Sequence, residues 1–194
     1  MRATFLRTGA PVAARSAGLL DRGDLIDGMV TLSAQSGYWR YQGGEQKLAV
    51  AFHVHITFPV VTRIVGYLPW SAFSRAEDLP KGVALQWARW CRDPRYLLGD
   101  DSLPLERLAS FRAPVLAYSI EDDKWGTRQA VDAMMSAYPN CERRHVTPAT
   151  YGLERLGHLG AFRTTASALW DETIDWFDAL YAPRPHSHVP LRVG

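Results

Sequence analysis

The chain has 194 residues, 22 Lys and Arg against 20 Asp and Glu, a formal net charge of +2 and a hydrophobic fraction of 47%. That length suits one domain with a sizeable core, and so small and scattered a charge lacks the electrostatic footprint of a nucleic-acid or acidic-membrane binder. Cys91 and Cys141 are far apart and in no C-x-x-C pattern, which reads as free thiols in a reducing cytoplasm and not as a disulfide framework.

Residues 1–18 carry Ala and Arg but no carboxylate, and Arg7 with Gly9-Ala10-Pro11 breaks the apolar run too early for a signal-peptide core. Neither a strand nor a helix period is present before residue 24, so 1–23 is expected to be a poorly structured leader, 24–182 the domain and 183–194 a tail. An apolar, partly β-branched run over 29–34, closed by Gln35-Ser36-Gly37, predicts a buried strand. Residues 38–105 differ in texture. Trp39, Phe52, Phe58, Trp70, Trp87 and Trp90 lie on segments separated by Gly43-Gly44, Pro59, Pro69 and Pro80, which predicts several short helices forming an insertion. Val83, Trp87 and Trp90 recur there at helical spacing. Residues 48–68 are nearly apolar, but His53, His55, Pro59 and Arg63 argue against a transmembrane span and for helices covering a pocket.

Alternation of strand and helix resumes after Ala113-Pro114. A strand is expected over 115–120, ending in Glu121-Asp122-Asp123, then a helix from Thr127 that buries Ala130, Val131, Met134 and Met135 and stops before Pro139. Residues 142–147 read as a polar strand near an edge. The loop 155–160 sets His158 between Gly157 and Gly160, and a last helix over 165–181 presents Leu169, Trp170, Ile174, Trp176, Phe177 and Leu180 as its buried stripe. Such alternation implies a parallel sheet, whose functional groups gather beyond the carboxyl ends of its strands. Asp122-Asp123 and His158 follow successive strands and therefore belong on one edge. A loop histidine oriented by a carboxylate can serve as a general base near neutral pH.

The segments 114–123 and 157–160 resemble the acid-bearing strand and the histidine loop in the C-terminal part of the α/β-hydrolase fold, where a triad runs in the order Ser, Asp or Glu, His. Ala34-Gln35-Ser36-Gly37-Tyr38-Trp39 and the segment 79–87 are similar to a group of predicted bacterial α/β-hydrolases, and the resemblance covers 24–182. It implies an α/β chain holding the C-terminal part of a parallel sheet, with 38–105 as a helical cap insertion. It also implies Asp123, the last of the acidic pair, as the residue that orients His158. The expected activity is hydrolysis of an ester, thioester or amide with an apolar acyl part, without metal or organic cofactor.

The family presents its serine in G-x-S-x-G on a strained elbow, and that motif is absent from this chain. Ser16, in Ala14-Arg15-Ser16-Ala17-Gly18, is the nearest approach, and Ser33, Ser36 and Ser119 lie on strands or just past them. The chain therefore reads as an N-terminally shortened member, with three recognisable strands and an unpaired apolar edge through which it would self-associate. The alternative is an inactive remnant that binds a ligand or partner through its aromatic surface. A metal site at His53 and His55, or at His186 and His188, is opposed by geometry, since alternate residues share a face only on a strand.

Overall fold

The computed structural model describes residues 26–72 and 77–182 together with the backbone of residues 3–6. In chain order come strands β1 (Ala3–Leu6) and β2 (Gly28–Leu32) and then helix α1 (Gln46–Val65). Two short strands follow, β3 (Tyr67–Leu68) and β4 (Leu79–Pro80), with helices α2 (Lys81–Arg92) and α3 (Glu106–Ala109). The chain closes with β5 (Val115–Ile120), α4 (Arg128–Met135), β6 (Cys141–Val146) and α5 (Ser167–Tyr181).

One sheet, ordered β1-β2-β5-β6 and parallel throughout, organises the fold. Every residue of β2 and β5 is buried, as befits central parallel strands covered on both faces. Alternation assigns their side chains to two cores. Met29, Val115 and Ala117 pack with Val131, Met134 and Met135 of α4, whereas Val30, Leu116, Tyr118 and Ile120 pack with Leu169 and Phe177 of α5. β6, with exposed Glu142 and Arg143, is the polar edge strand that its composition predicts.

Between β2 and β5 the chain is mostly helical. Ala84 and Ala88 of α2 are fully buried in the same core as Val54 and Phe58 of α1. α1 turns its Val54, Phe58 and Thr62 row inward and leaves Leu48, Phe52, Ile56, Val60 and Ile64 exposed. A π-helical turn at His53–Thr57 interrupts it. With 20 residues and a hydropathy of 1.6, α1 is long and apolar enough to cross a membrane by those two measures alone.

The expected leader is corrected at its start: Ala3–Leu6 forms a strand paired along β2 in register Ala3↔Gly28 to Leu6↔Thr31. The main sheet therefore has four strands where three were expected, and the edge expected on β2 is occupied by β1. Sequence periodicity is a weak guide to so short a strand, whose backbone is held by its neighbour and not by its own pattern. Residues 7–25 and 183–194, with the tail and Ser16, lie outside the described residues.

Candidate active site

Because all four strands run the same way, the loops after β5 and β6 meet at one edge of the sheet. Asp123 lies in the turn that opens the first loop and is 2% exposed, its backbone N–H bonded to the Ile120 carbonyl. His158 Nδ1 stands 2.8 Å from Asp123 Oδ2 and 3.0 Å from Oδ1. Oδ1 also accepts the backbone N–H groups of Trp125 at 2.8 Å and Gly126 at 2.9 Å. Burial alone would raise the Asp123 pKa, but the hydrogen bonds from His158 and from the Gly126 N–H outweigh it and hold the carboxyl below its ordinary range. Ionised and fixed by backbone donors, this carboxylate selects the tautomer of His158 that carries its proton on Nδ1. Nε2 is then free to accept a proton.

The two neighbouring aspartates divide the work of this loop. Asp122 accepts the backbone N–H of Leu156 at 3.0 Å and that of Gly157 at 2.8 Å, so it ties down the histidine loop while Asp123 holds the ring. Gly157, at φ +61, takes the left-handed conformation that presents His158. Gly160 has no such duty: it opens a short 3-10 turn, Gly160–Phe162, where an added Cβ would meet only Leu156 at 3.6 Å. Gly126 is the more demanding position, since a Cβ there would stand 2.5 Å from Asp123 Oδ2 and 2.8 Å from the Cβ of Ser33. The roles of Asp122 and Gly126 escaped the sequence reading. The only signal for Gly126 was its place in Asp123-Lys124-Trp125-Gly126, where a turn could fold back onto the acid.

The serines are placed as follows. Ser33, at φ +52, ends β2 beside Asp123; it is buried, and its hydroxyl bears on the carboxylate without reaching hydrogen-bonding geometry. Ser36 is buried and accepts the Tyr38 N–H at 3.2 Å. Ser119 Oγ lies 3.0 Å from His145 Nδ1 across the β5–β6 pair, and this histidine has no carboxylate partner among the described residues. Ser16 is not described. None of these described hydroxyls is hydrogen-bonded to His158.

A cavity of about 190 Å³ opens beneath α1, walled by Val50, Val54, Phe58, Trp70 and Trp87. Gln35, Gln42 and His53 supply its polar side chains. It adjoins the acid loop, because Trp125, whose N–H caps Asp123, also lines it. Cys91 at its wall is a buried free thiol pushed up to about 12 by burial, hence neutral and unreactive at ordinary pH.

His53 and His55 sit on a helical turn and engage local partners, Thr57 Oγ1 at 3.3 Å and the Ala51 carbonyl at 2.9 Å. Among the described residues no group of three or more His, Cys, Asp or Glu is placed to hold a metal ion. His186 and His188 are outside them.

No protein-family profile and no curated protein matches the chain. Solved structures do. A monoacylglycerol lipase from Paleococcus ferrophilus superposes with a TM-score of 0.54 at 12% identity, over 92% of this chain and 68% of its own. An esterase from a Rhodococcus species gives 0.51 at 16% identity, over 92% and 65%. BpoC of Mycobacterium tuberculosis, described as a non-heme bromoperoxidase, gives 0.51 at 13% identity, over 92% and 67%. The chain thus spans about two thirds of the length of these structures, and the likeness is one of fold.

Proposed function

We propose that this chain, which has the α/β-hydrolase fold, hydrolyses an ester, thioester or amide of a small molecule with an apolar acyl part, using His158 as general base and Asp123 to orient it. The observation that carries the reading is the hydrogen bond between a fully buried, ionised carboxylate and a partly exposed imidazole, beside an apolar cavity. In this reading His158 Nε2 takes the proton of the attacking hydroxyl, and Asp123 stabilises the imidazolium that results. The same nitrogen then returns the proton to the leaving oxygen, sulfur or nitrogen. Proton balance is complete without a metal or organic cofactor.

In this proposal the nucleophile would come from the stretch between β1 and β2, whose structure is outside the described residues. Parallel pairing sets the carboxyl end of β1 on the same edge as Asp123 and His158, and the nucleophile of this fold belongs on a turn between strand and helix. Between those strands the chain carries two hydroxyl residues, Thr8 and Ser16. Two free cysteines among the described residues accord with a reducing, cytoplasmic setting.

Fluorophosphonate labelling with peptide mapping tests the reading. The expected adduct lies on Thr8 or Ser16 and is lost in His158→Ala, whose turnover of a p-nitrophenyl ester falls by about 10²–10⁴. A folded sample that neither labels nor turns over ester would refute the proposal.

A further inference from the structure

We propose that α1 seats the protein on an anionic lipid bilayer, lying in the plane of the membrane surface with its outer row of apolar side chains among the lipids. The proposal goes beyond the hydrolase reading and does not depend on it.

Pattern is the first argument. Leu48, Phe52, Ile56, Val60 and Ile64 recur at every fourth residue and all are exposed, Leu48 to 73% and Ile64 to 79%. In a regular α-helix a row with that spacing winds around the axis by about 40° per step, because four residues exceed one turn of 3.6. The π-helical turn at His53–Thr57 is wider and takes up part of this drift, so the apolar row stays outermost along the helix. Twenty residues make it a stripe about 30 Å long. A continuous exposed apolar stripe of that length marks an interaction surface.

Packing sets the orientation. On the opposite row Val54, Phe58 and Thr62 are 2%, 3% and 0% exposed, and Val54 and Phe58 belong to the core that holds Leu68, Ala84 and Ala88. A helix held to its domain by one face and bare on the other meets a bilayer lengthwise, as interfacial helices do, and does not cross it.

Charge identifies the surface. Lys47 and Arg63 are the only formally charged residues of α1, and no Asp or Glu occurs between Glu45 and Glu77. The Arg63 guanidinium donates to the Pro59 carbonyl at 2.9 Å, which holds it against the helix. Arg40 is exposed and stacks over Trp39, whose ring meets His55 of α1 edge-on, so a third cation stands next to the helix. The net charge of +2 gives the whole chain little long-range attraction. The apolar row therefore supplies most of the binding, and the local cations favour anionic headgroups. Two copies of this face would set cations against cations, with no carboxylate on the helix to pair them.

Sedimentation of the whole chain with lipid vesicles tests the proposal. Vesicles of phosphatidylcholine with phosphatidylserine should carry the chain down, pure phosphatidylcholine should carry less, and alkaline carbonate should release it. Leu48→Gln and Ile64→Gln should each weaken binding about tenfold. Ile174→Gln, at a half-exposed position on α5, should not weaken it. Lys47→Gln and Arg63→Gln should each weaken binding to the anionic vesicles about fivefold and leave binding to pure phosphatidylcholine unchanged. Thermal melts report folding of every variant. A folded parent that stays in solution, unaltered binding by the Leu48 and Ile64 variants, equal weakening by Ile174→Gln or retention after carbonate would overturn the proposal. Lys47 and Arg63 variants that weaken both kinds of vesicle alike would overturn the choice of anionic lipid. A parent that ignores vesicles but forms a dimer lost in Ile64→Gln would assign the face to a second copy and overturn it as well. Vesicle binding is the readout throughout, so failure of the hydrolase reading leaves these results intact.

Discussion

At the scale of single residues, the site turns on how one carboxylate is kept charged while buried. Asp123 loses its water but gains the His158 ring and two backbone donors, and the balance lowers its pKa. A group more acidic in the folded than in the unfolded chain stabilises the fold above its unfolded pKa, and that stability is lost as pH falls toward the folded value. Thermal melts should therefore show the parent losing stability below about pH 4, near the ordinary aspartate value. Asp123→Asn should start lower at neutral pH and lose less over the same acid range; an acid limb as steep as the parent's would contradict this account. The sequence placed both aspartates and His158 on one edge, and the family resemblance, not the residues themselves, pointed to Asp123 as the partner of the ring. The structure separates them, with Asp122 on the loop backbone and Asp123 on the imidazole.

At the scale of elements, α4 joins the acid loop to the insertion. Thr127 caps it, its Oγ1 accepting the Ala130 N–H at 3.2 Å and donating to the Tyr41 carbonyl at 2.6 Å. Thr127→Ala removes both bonds and should cost about 1–2 kcal/mol in chemical denaturation, with Thr127→Ser recovering most of it; equal stability of the Ala variant would show that water replaces both partners. The helix itself was legible, since its apolar positions recur at the helical period and its cap is a threonine. Its crosslink to Tyr41 was not, because a contact between residues so distant in sequence leaves no periodic trace. The strand of 29–34 was foreseen two residues too long: Ser33 turns to φ +52 after Leu32 and ends the pairing, a break that no propensity signals in a β-branched run.

At the scale of the molecule, the two edges of the sheet are unlike. β6 presents charged residues, a common protection against edge pairing. The outer side of β1 has no strand partner among the described residues. Self-association, expected first of β2, is therefore reassigned to β1, and sedimentation velocity should show a mass that rises with protein concentration. A single monomeric species across a wide concentration range would contradict it.

Composition, periodicity and the positions of Asp123 and His158 in the chain were sufficient to specify a parallel α/β sheet, aromatic-rich helices between two of its strands, and those two residues on one edge. Those features are local or follow from the direction of strands, and hydrophobic pattern encodes both. Only the tertiary structure decided that Ala3–Leu6 joins the sheet beside β2 and that Asp122 anchors the loop holding His158. Each of these depends on which residues distant in sequence come within a few ångströms, and packing of the whole chain, not any stretch of it, sets those distances.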